Sequence, residues 1–173
     1  PKILEKYGFD YKEISDIERF TLLERLIPSL CIDRFDYSIR EFNLFETKET
    51  ISMIVNGITN KNGTLVFKSK EIAEIFARTY MRCQSEHWAG GQSRARYHIL
   101  SNILKRALKN KIISFEDIKK TDDYVIGILE NSKDKEILAD LELLRNGFEI
   151  EESEEGIDLK KKDRYIDPEI LVN

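Results

Sequence analysis

The chain has 173 residues, which is enough for one domain with a sizeable core but too few for two comfortable ones. Its 28 Lys and Arg residues and 32 Asp and Glu residues give a net charge of -4 at pH 7, so no overall basic field indicates a nucleic-acid partner. No apolar run approaches the roughly 20 residues that cross a bilayer, and the first residues do not resemble a secretory signal, so we expect a cytoplasmic protein with no membrane partner.

The first 28 residues predict three helices. One ends at Gly8, and a short one begins at Asp10, which has Glu13 at capping-box spacing. Apolar residues at helical spacing predict a third helix over about 17–27, which Pro28 ends.

A helix over about 29–43 has two different sides. Its apolar residues are spaced i, i+3, i+7 and i+10: Ile32, Phe35, Ile39 and Phe42. A separate stripe carries the ionisable side chains Asp33, Tyr37 and Glu41 at i, i+4 and i+8. This pattern alone leaves three roles open for the polar side: a solvated outer face, a salt-bridged structural face, or a catalytic face directed into a pocket.

Further elements follow at regular intervals. A helix is predicted over about 47–57, and Asn62-Gly63 predicts a small hairpin turn. Ser69 is a natural N-cap for a long helix, and another helix follows Gly90-Gly91.

The remaining third of the chain predicts shorter helices. Ser114 and Asp117 have capping-box spacing, Thr121 is a natural N-cap, and Gly147 ends the last helix. We therefore predict a mostly α fold with small β-hairpin accessories: a helical domain over 1–147, and a peripheral hairpin or flexible arm over 148–173.

Five stretches of the sequence resemble one family. "IDRFDYSIRE" resembles the D-[KR]-x-D-Y-x-x-R-[DE] helix of the HD-superfamily phosphohydrolases, in particular the deoxynucleoside triphosphate triphosphohydrolases and their SAM-HD relatives. Four later stretches are similar to later segments of that family, in the same order: "KSKEIAEIFARTYMRCQ", "RARYHILSNILKRALKN", "ISFEDIKKTDDYVIGIL" and "KKDRYIDPEIL". The resemblance covers nearly all of the chain and implies an HD-type helical domain.

The family's metal site takes a His, an adjacent His-Asp pair and a final Asp. Asp33 matches the final Asp, while neither His87 nor His98 is followed by Asp. The resemblance therefore implies that this chain is the C-terminal part of an HD protein, whose N-terminal part supplies the His and His-Asp ligands. It implies a divalent metal ion, which is Mg, Mn, Fe, Ni or Zn.

The resemblance also implies seven nucleotide contacts: Arg34, Tyr37, Glu41, Arg82, Arg96, Tyr97 and His98. Arg34 and Arg82 match positions near the phosphates, where a guanidinium binds oxygens bidentately. Tyr37 matches the aromatic residue that borders the sugar. Glu41 stands where the family more often has Asp. The alternative for the polar side of the helix over 29–43 and for Arg82 is a structural ion pair, and for His98 it is a hydrogen-bonded structural residue.

The resemblance implies a metal-dependent phosphohydrolase acting on nucleotides, either similar to dNTP triphosphohydrolases or of a phosphomonoesterase type, and a homo-oligomer. The alternative is a catalytically silent HD-fold module for regulation, nucleotide sensing or assembly. A third hypothesis, a helical nucleic-acid-binding domain, comes from the Lys and Arg residues between 94 and 111. The net acidity of the chain weighs against it.

Overall fold

The computed structural model describes residues 2–151, 154, 156–157 and 163–172. These residues form two compact units: the first comprises 2–86 and 163–172, and the second comprises the described residues of 87–162. Helices dominate, with one two-stranded sheet among the described residues, which confirms the predicted mostly α fold class with a small hairpin. The predicted domain boundary after residue 147 falls within the second unit and stays a prediction.

The first unit contains five helices and a hairpin among its described residues. The helices are α1 (Lys2–Lys6), α2 (Tyr11–Ser15), α3 (Ile32–Phe42), α4 (Lys48–Gly57) and α5 (Lys70–Arg82). Strands β1 (Ile58–Lys61) and β2 (Thr64–Phe67) connect α4 to α5.

A π-helical segment, Cys83–Trp88, follows α5 in the chain. The helices of the second unit are α6 (Gly91–Lys109), α7 (Asp122–Glu130) and α8 (Lys135–Asn146). Among the described residues, no helix is both long enough and apolar enough to cross a membrane.

Side chains cap the helices where the sequence predicts caps. The Ser69 and Thr121 hydroxyls each accept a hydrogen bond from the amide three residues further on, and the Asp10 carboxylate accepts one from Lys12. In the Ser114–Asp117 pair, the Asp117 carboxylate accepts from the Ser114 amide at 2.8 Å, and the Asp117 amide donates back to the Ser114 hydroxyl. These local signals are confirmed because short-range hydrogen bonds alone determine them.

The hairpin has the turn that the sequence predicts. Asn62 and Gly63 have φ angles of 52° and 79°, as a two-residue turn of the primed type requires, and they connect β1 to β2 in antiparallel register. On the other edge of β2, the Phe67 amide donates to the Glu169 carbonyl, and the Leu171 amide donates to the Phe67 carbonyl, each at 2.8 Å. Residues 169–171, within the predicted C-terminal arm, therefore lie along β2.

Part of the predicted arm cannot be compared with the structure. Residues 152–153, 155, 158–162 and 173 lie outside the described residues. The prediction of a peripheral hairpin or flexible arm over 148–173 stays a prediction.

The prediction of a helix over 17–27 is wrong. Only a 3-10 turn, Ile17–Arg19, forms within this range. The carbonyls of Leu22 and Leu23 accept hydrogen bonds from the first two amides of α3, at 2.7 and 3.2 Å. These carbonyls are therefore engaged by α3 rather than by amides four residues further along. The same bonds fix the start of α3 and the position of Asp33.

The core of the first unit is built around Phe76, which is fully buried. Its ring centroid lies between 5.1 and 6.2 Å from those of four other aromatic rings: Phe35, Phe42, Phe67 and Tyr80. These distances are those of favourable offset or tilted aromatic pairs. The cluster joins α3, β2 and α5, so it holds the helix that carries Asp33 in place.

The second unit has an aliphatic core between α6, α7 and α8. Its buried members are Ile103, Ala107, Ile113, Leu129, Ile137 and Leu141. At its edge, the Arg106 guanidinium donates to both carboxylate oxygens of Asp134 at 2.9 Å. Asp134 also caps α8 by accepting from the amides of residues 136 and 137.

We expect replacement of Asp134 by Asn to destabilise the second unit in a pH-dependent way. Chiefly the hydrogen bond from Arg106, and also those from the α8 amides and Asn110, lower the pKa of Asp134 in the folded protein. The stabilisation that the ionised Asp134 gives to the folded unit is therefore fully present above the ordinary aspartate pKa of about 3.9, and is lost as pH falls through the lower folded-state value.

Thermal unfolding at pH 7, 5, 4 and 3 measures this effect. The melting-temperature difference between wild type and Asp134→Asn should be largest at neutral pH and shrink below pH 4. A difference that is constant across this range would contradict the assignment.

Candidate functional site

The polar side of α3 carries three of the predicted site residues. Asp33 is exposed in the first turn, where a carboxylate is favoured by the helix dipole, and Tyr37 and Glu41 are half-buried on the next two turns. The opposite side buries Phe35 and Phe42, as predicted. The helix is therefore anchored by its apolar side and presents an ionisable stripe on the other.

Ile32 departs from the predicted apolar side of α3. Ile39 is half-buried, whereas Ile32 is exposed and Ser38 is fully buried. The Ser38 hydroxyl donates to the Arg34 carbonyl at 2.6 Å, so this polar side chain is satisfied within the helix. The buried side is consequently rotated towards Ser38.

Tyr37 is positioned by a second tyrosine. Its hydroxyl lies 3.2 Å from the hydroxyl of Tyr80, which is fully buried in α5. Burial, followed by this hydrogen bond, raises the pKa of Tyr80 well above its ordinary value, so Tyr80 remains a neutral hydroxyl. Sequence reasoning missed Tyr80. Its position four residues after Phe76 indicates a core residue, but nothing in the sequence names Tyr37 as its partner.

Arg34 is engaged with the loop that precedes α3. Its guanidinium donates to the carbonyls of Ser29 and Arg25 and to the carboxylate of Glu24, the last two at 3.2 and 3.3 Å. Only 11% of its side chain is exposed. In this arrangement Arg34 fastens the loop to α3, and its predicted role in binding phosphate stays a prediction.

We expect Arg34→Ala to lower the free energy of unfolding of the first unit by about 1–3 kcal/mol, since it removes the hydrogen bonds that a nearly buried charged donor makes to the preceding loop. Urea unfolding measures the loss. The matched control is Arg40→Ala on the same helix, because Arg40 is largely exposed and its guanidinium pairs only with Asp36 in the contacts described. Equal stability of the two variants would show that the loop does not depend on Arg34.

Arg82, at the end of α5, is a half-exposed cation held from two sides. Its guanidinium carbon lies 4.5 Å from the centre of the Phe45 ring, and its Nε donates to Glu86 at 3.1 Å. The Arg guanidinium is planar and pre-organised, so it loses less conformational entropy for each hydrogen bond that it forms with an anion. This arrangement is compatible with either of its predicted roles, phosphate contact or structural ion pair.

Cys83 follows Arg82 and is fully buried as a free thiol. Burial, and after it the negative charge of Glu41, raises the pKa of Cys83 to about 12. A thiol with such a pKa is protonated at physiological pH and does not act as a nucleophile. The structure therefore gives no nucleophilic role to this cysteine.

The other three predicted contacts lie on α6 in the second unit. Arg96 donates to the Leu144 carbonyl at 3.1 Å and lies 5.7 Å from the Phe148 ring. Tyr97 is exposed, and the His98 ring is 3.0 Å from the Asn102 amide nitrogen.

Arg96 and Tyr97 line an open groove of about 350 Å³ together with Ser93, Leu100 and Leu144. The predicted residues thus form two groups, one on each unit. Asp33, Tyr37 and Glu41 share a helix side in the first unit, and Arg96 and Tyr97 share a groove in the second.

The described residues do not form a metal site by themselves. Within them, no group of three or more His, Cys, Asp or Glu side chains is placed to hold a metal ion. Asp33 is a single carboxylate, whereas protein sites for catalytic divalent ions use several ligands. The described part of the chain therefore does not fit a metal ion without further ligands.

Comparisons with known proteins identify two relatives. The chain is 35% identical over 182 residues to the uncharacterized protein YdhJ of Bacillus subtilis, a match that includes the whole chain and 55% of YdhJ. It is 29% identical over 97 residues to the metal-dependent phosphohydrolase cns2 of Cordyceps militaris, which corresponds to 51% of this chain and 28% of cns2. No family model and no solved structure matches the chain.

The chain spans about half the length of YdhJ, and its match to cns2 spans less than a third of that protein. The similarity to cns2 agrees with the coarse prediction of a metal-dependent phosphohydrolase. Neither relative's name mentions a nucleotide, so that part of the prediction has no support from the comparisons.

Proposed function

We propose that this chain belongs to a metal-dependent phosphohydrolase of the HD superfamily that acts on nucleotides, and that the polar side of α3 lines its active site. One structural observation carries the proposal: Asp33, Tyr37 and Glu41 occupy successive turns on one side of a helix whose other side is firmly packed. The resemblance of this helix to the HD family and the similarity to cns2 support the reaction class.

Three residues of the first unit have a defined task in this proposal. Tyr37, fixed by the hydroxyl of Tyr80, offers one edge of its ring to a sugar. Arg82, fixed by Phe45, binds a phosphate oxygen through its guanidinium. Arg34 acts indirectly, because it holds the loop before α3 and so holds Asp33.

The metal ion requires more than the described residues provide. In the proposed enzyme, Asp33 supplies one carboxylate, and the other ligands come from residues outside the described part of the chain. Activity should therefore depend both on Asp33 and on the rest of the full-length protein.

The experiment that tests the proposal is a substrate panel. The full-length product of the gene, supplied with Mn²⁺, is incubated with the four dNTPs, the four NTPs, dAMP and p-nitrophenyl phosphate, and products are separated by ion-exchange chromatography. Faster turnover of at least one nucleotide than of p-nitrophenyl phosphate is expected, and the products distinguish triphosphate release from removal of a single phosphate. Turnover of p-nitrophenyl phosphate alone would refute nucleotide specificity while leaving a phosphohydrolase.

The second candidate is a catalytically silent module that senses nucleotides or directs assembly. The lack of a metal-binding group among the described residues favours it. Calorimetric titration of dATP and GTP separates the two candidates: saturable binding with no product under every metal condition supports the module, whereas turnover excludes it.

A further inference from the structure

The segment before α3 is unusually apolar and unusually exposed. Helices α1 and α2 contain no buried residues, and none of residues 2–29 is buried among those whose side chains are described, which excludes only Glu18. Eleven large apolar side chains are nevertheless exposed between residues 3 and 32: Ile3, Tyr7, Phe9, Tyr11, Ile14, Ile17, Phe20, Leu23, Leu26, Ile27 and Ile32. The exposed fraction reaches 89% at Leu26 and 75% at Ile3. We call residues 3–32 the apolar segment.

The apolar segment has a sequence pattern that needs a covering surface. From Ile3 to Ile27, most of its apolar residues recur every three or four positions, which is the spacing of a helix side that packs against another element. In the described structure these apolar residues are exposed, and the helix expected over 17–27 does not form beyond Arg19. A concentration of exposed large apolar residues in one stretch of the chain indicates an interaction surface, since single exposed apolar residues are normally scattered.

Charge argues for a polypeptide as the occupant rather than a lipid surface. Residues 2–32 contain five Lys or Arg and six Asp or Glu side chains. A segment that binds anionic membranes carries an excess of basic residues beside its apolar ones, and this segment does not.

The lengths of the relatives indicate which polypeptide it is. The whole of this chain corresponds to only 55% of YdhJ, so YdhJ contains a large further portion. We infer that the apolar segment is the docking surface for a further helical portion of the same protein, with an apolar side of its own.

The location of the apolar segment connects this interface to the candidate site. Asp33 follows Ile32 directly, and the Leu22 and Leu23 carbonyls bond to the first amides of α3. A portion docked on the apolar segment therefore lies next to Asp33 and is placed to supply the missing ligands. This last step depends on the proposed function, whereas the docking surface itself does not.

Hydrogen–deuterium exchange tests the docking surface without any assay of activity. Exchange over residues 2–29 is compared between this chain alone and the full-length product of its gene. We expect amide protection about tenfold or more higher in the full-length protein. Equal exchange, or a gene product no longer than this chain, would overturn the inference. A different outcome is protection that appears in this chain alone as its concentration rises, together with a doubling of its mass by light scattering. That result would assign the surface to a second copy and would also overturn the inference.

A pair of matched variants provides the second test. Leu26→Asp places a charge at the most exposed apolar position, so it should lower the melting temperature of the full-length protein by several degrees and leave this chain alone unchanged. The control is Leu44→Asp, at an exposed leucine of the first unit outside the apolar segment, which should change neither protein. Equal effects of Leu26→Asp on both proteins would contradict docking. Neither the hydrogen exchange nor the melting temperatures depend on phosphohydrolase activity. A protein without that activity would therefore refute the proposed function and leave the docking surface standing.

Discussion

Replacing Asp33 by Ala should reduce metal-dependent phosphate release by the full-length protein by more than about 100-fold. Changes in groups that only support a metal ligand cost about 10- to 100-fold, and a ligand itself should cost more. The Asp33 side chain is exposed, and none of the contacts described above involves its carboxylate, so the variant should still fold. Initial rates with saturating Mn²⁺, together with circular dichroism of the variant, measure the two effects separately.

Asp36→Ala is the matched control for this prediction. Asp36 lies on the same helix, is exposed, and pairs with Arg40 at 2.8 Å. An exposed ion pair of this kind contributes little to stability, so the variant should keep at least about half of the wild-type rate. Equal losses in Asp33→Ala and Asp36→Ala would show that activity depends on the charge of α3 in general, and not on a ligand at position 33.

The largest expected effect on stability comes from Phe76→Ala. The side chain is fully buried, and its ring contacts aromatic rings from α3, β2 and α5. Truncation of a buried phenylalanine typically costs about 3–5 kcal/mol, because the lost contacts leave a cavity that the surroundings fill only partly. Urea unfolding of the first unit should show this loss, which is large compared with the typical total of about 5–15 kcal/mol.

Met81→Ala, on the same helix, provides the comparison. Met81 is half-exposed, so its truncation should cost less than about 1 kcal/mol. A loss for Phe76→Ala as small as that for Met81→Ala would mean that the aromatic cluster does not stabilise this unit.

The elements that the sequence predicts correctly are those with local causes. Asn62 and Gly63 form the turn because both residue types accept the positive φ that it requires. The Ser69 and Thr121 hydroxyls cap their helices by accepting hydrogen bonds from amides three residues further on. The buried side of α3 is also largely predictable, because Phe35 and Phe42 follow helical spacing.

What the sequence does not show has long-range causes. The helix predicted over 17–27 fails because carbonyls of Leu22 and Leu23 bond to α3, a contact that no periodicity shows. The contacts of the Arg34 guanidinium with the loop before α3 are also long-range and do not show in the sequence, while its predicted phosphate contact stays a prediction. The partnership of Tyr37 with Tyr80 is likewise a tertiary contact between α3 and α5.

The candidate site is therefore predictable only in part. Spacing alone shows that Asp33, Tyr37 and Glu41 share a helix side, and the structure adds which of them is exposed. The assignment of Asp33 to metal stays a prediction, since its test is chemical. The same holds for the seven residues assigned to substrate: Arg34, Tyr37, Glu41, Arg82, Arg96, Tyr97 and His98.

Metal dependence of hydrolysis tests most directly the proposal that the full-length protein is a metal-dependent phosphohydrolase. Phosphate release from a dNTP by the full-length protein is measured before EDTA treatment, after it, and after restoring Mn²⁺, Mg²⁺, Fe²⁺, Ni²⁺ or Zn²⁺ to the chelated sample. We expect activity that EDTA abolishes and that at least one of these ions restores. Activity that survives chelation, or no hydrolysis with any ion, would contradict it.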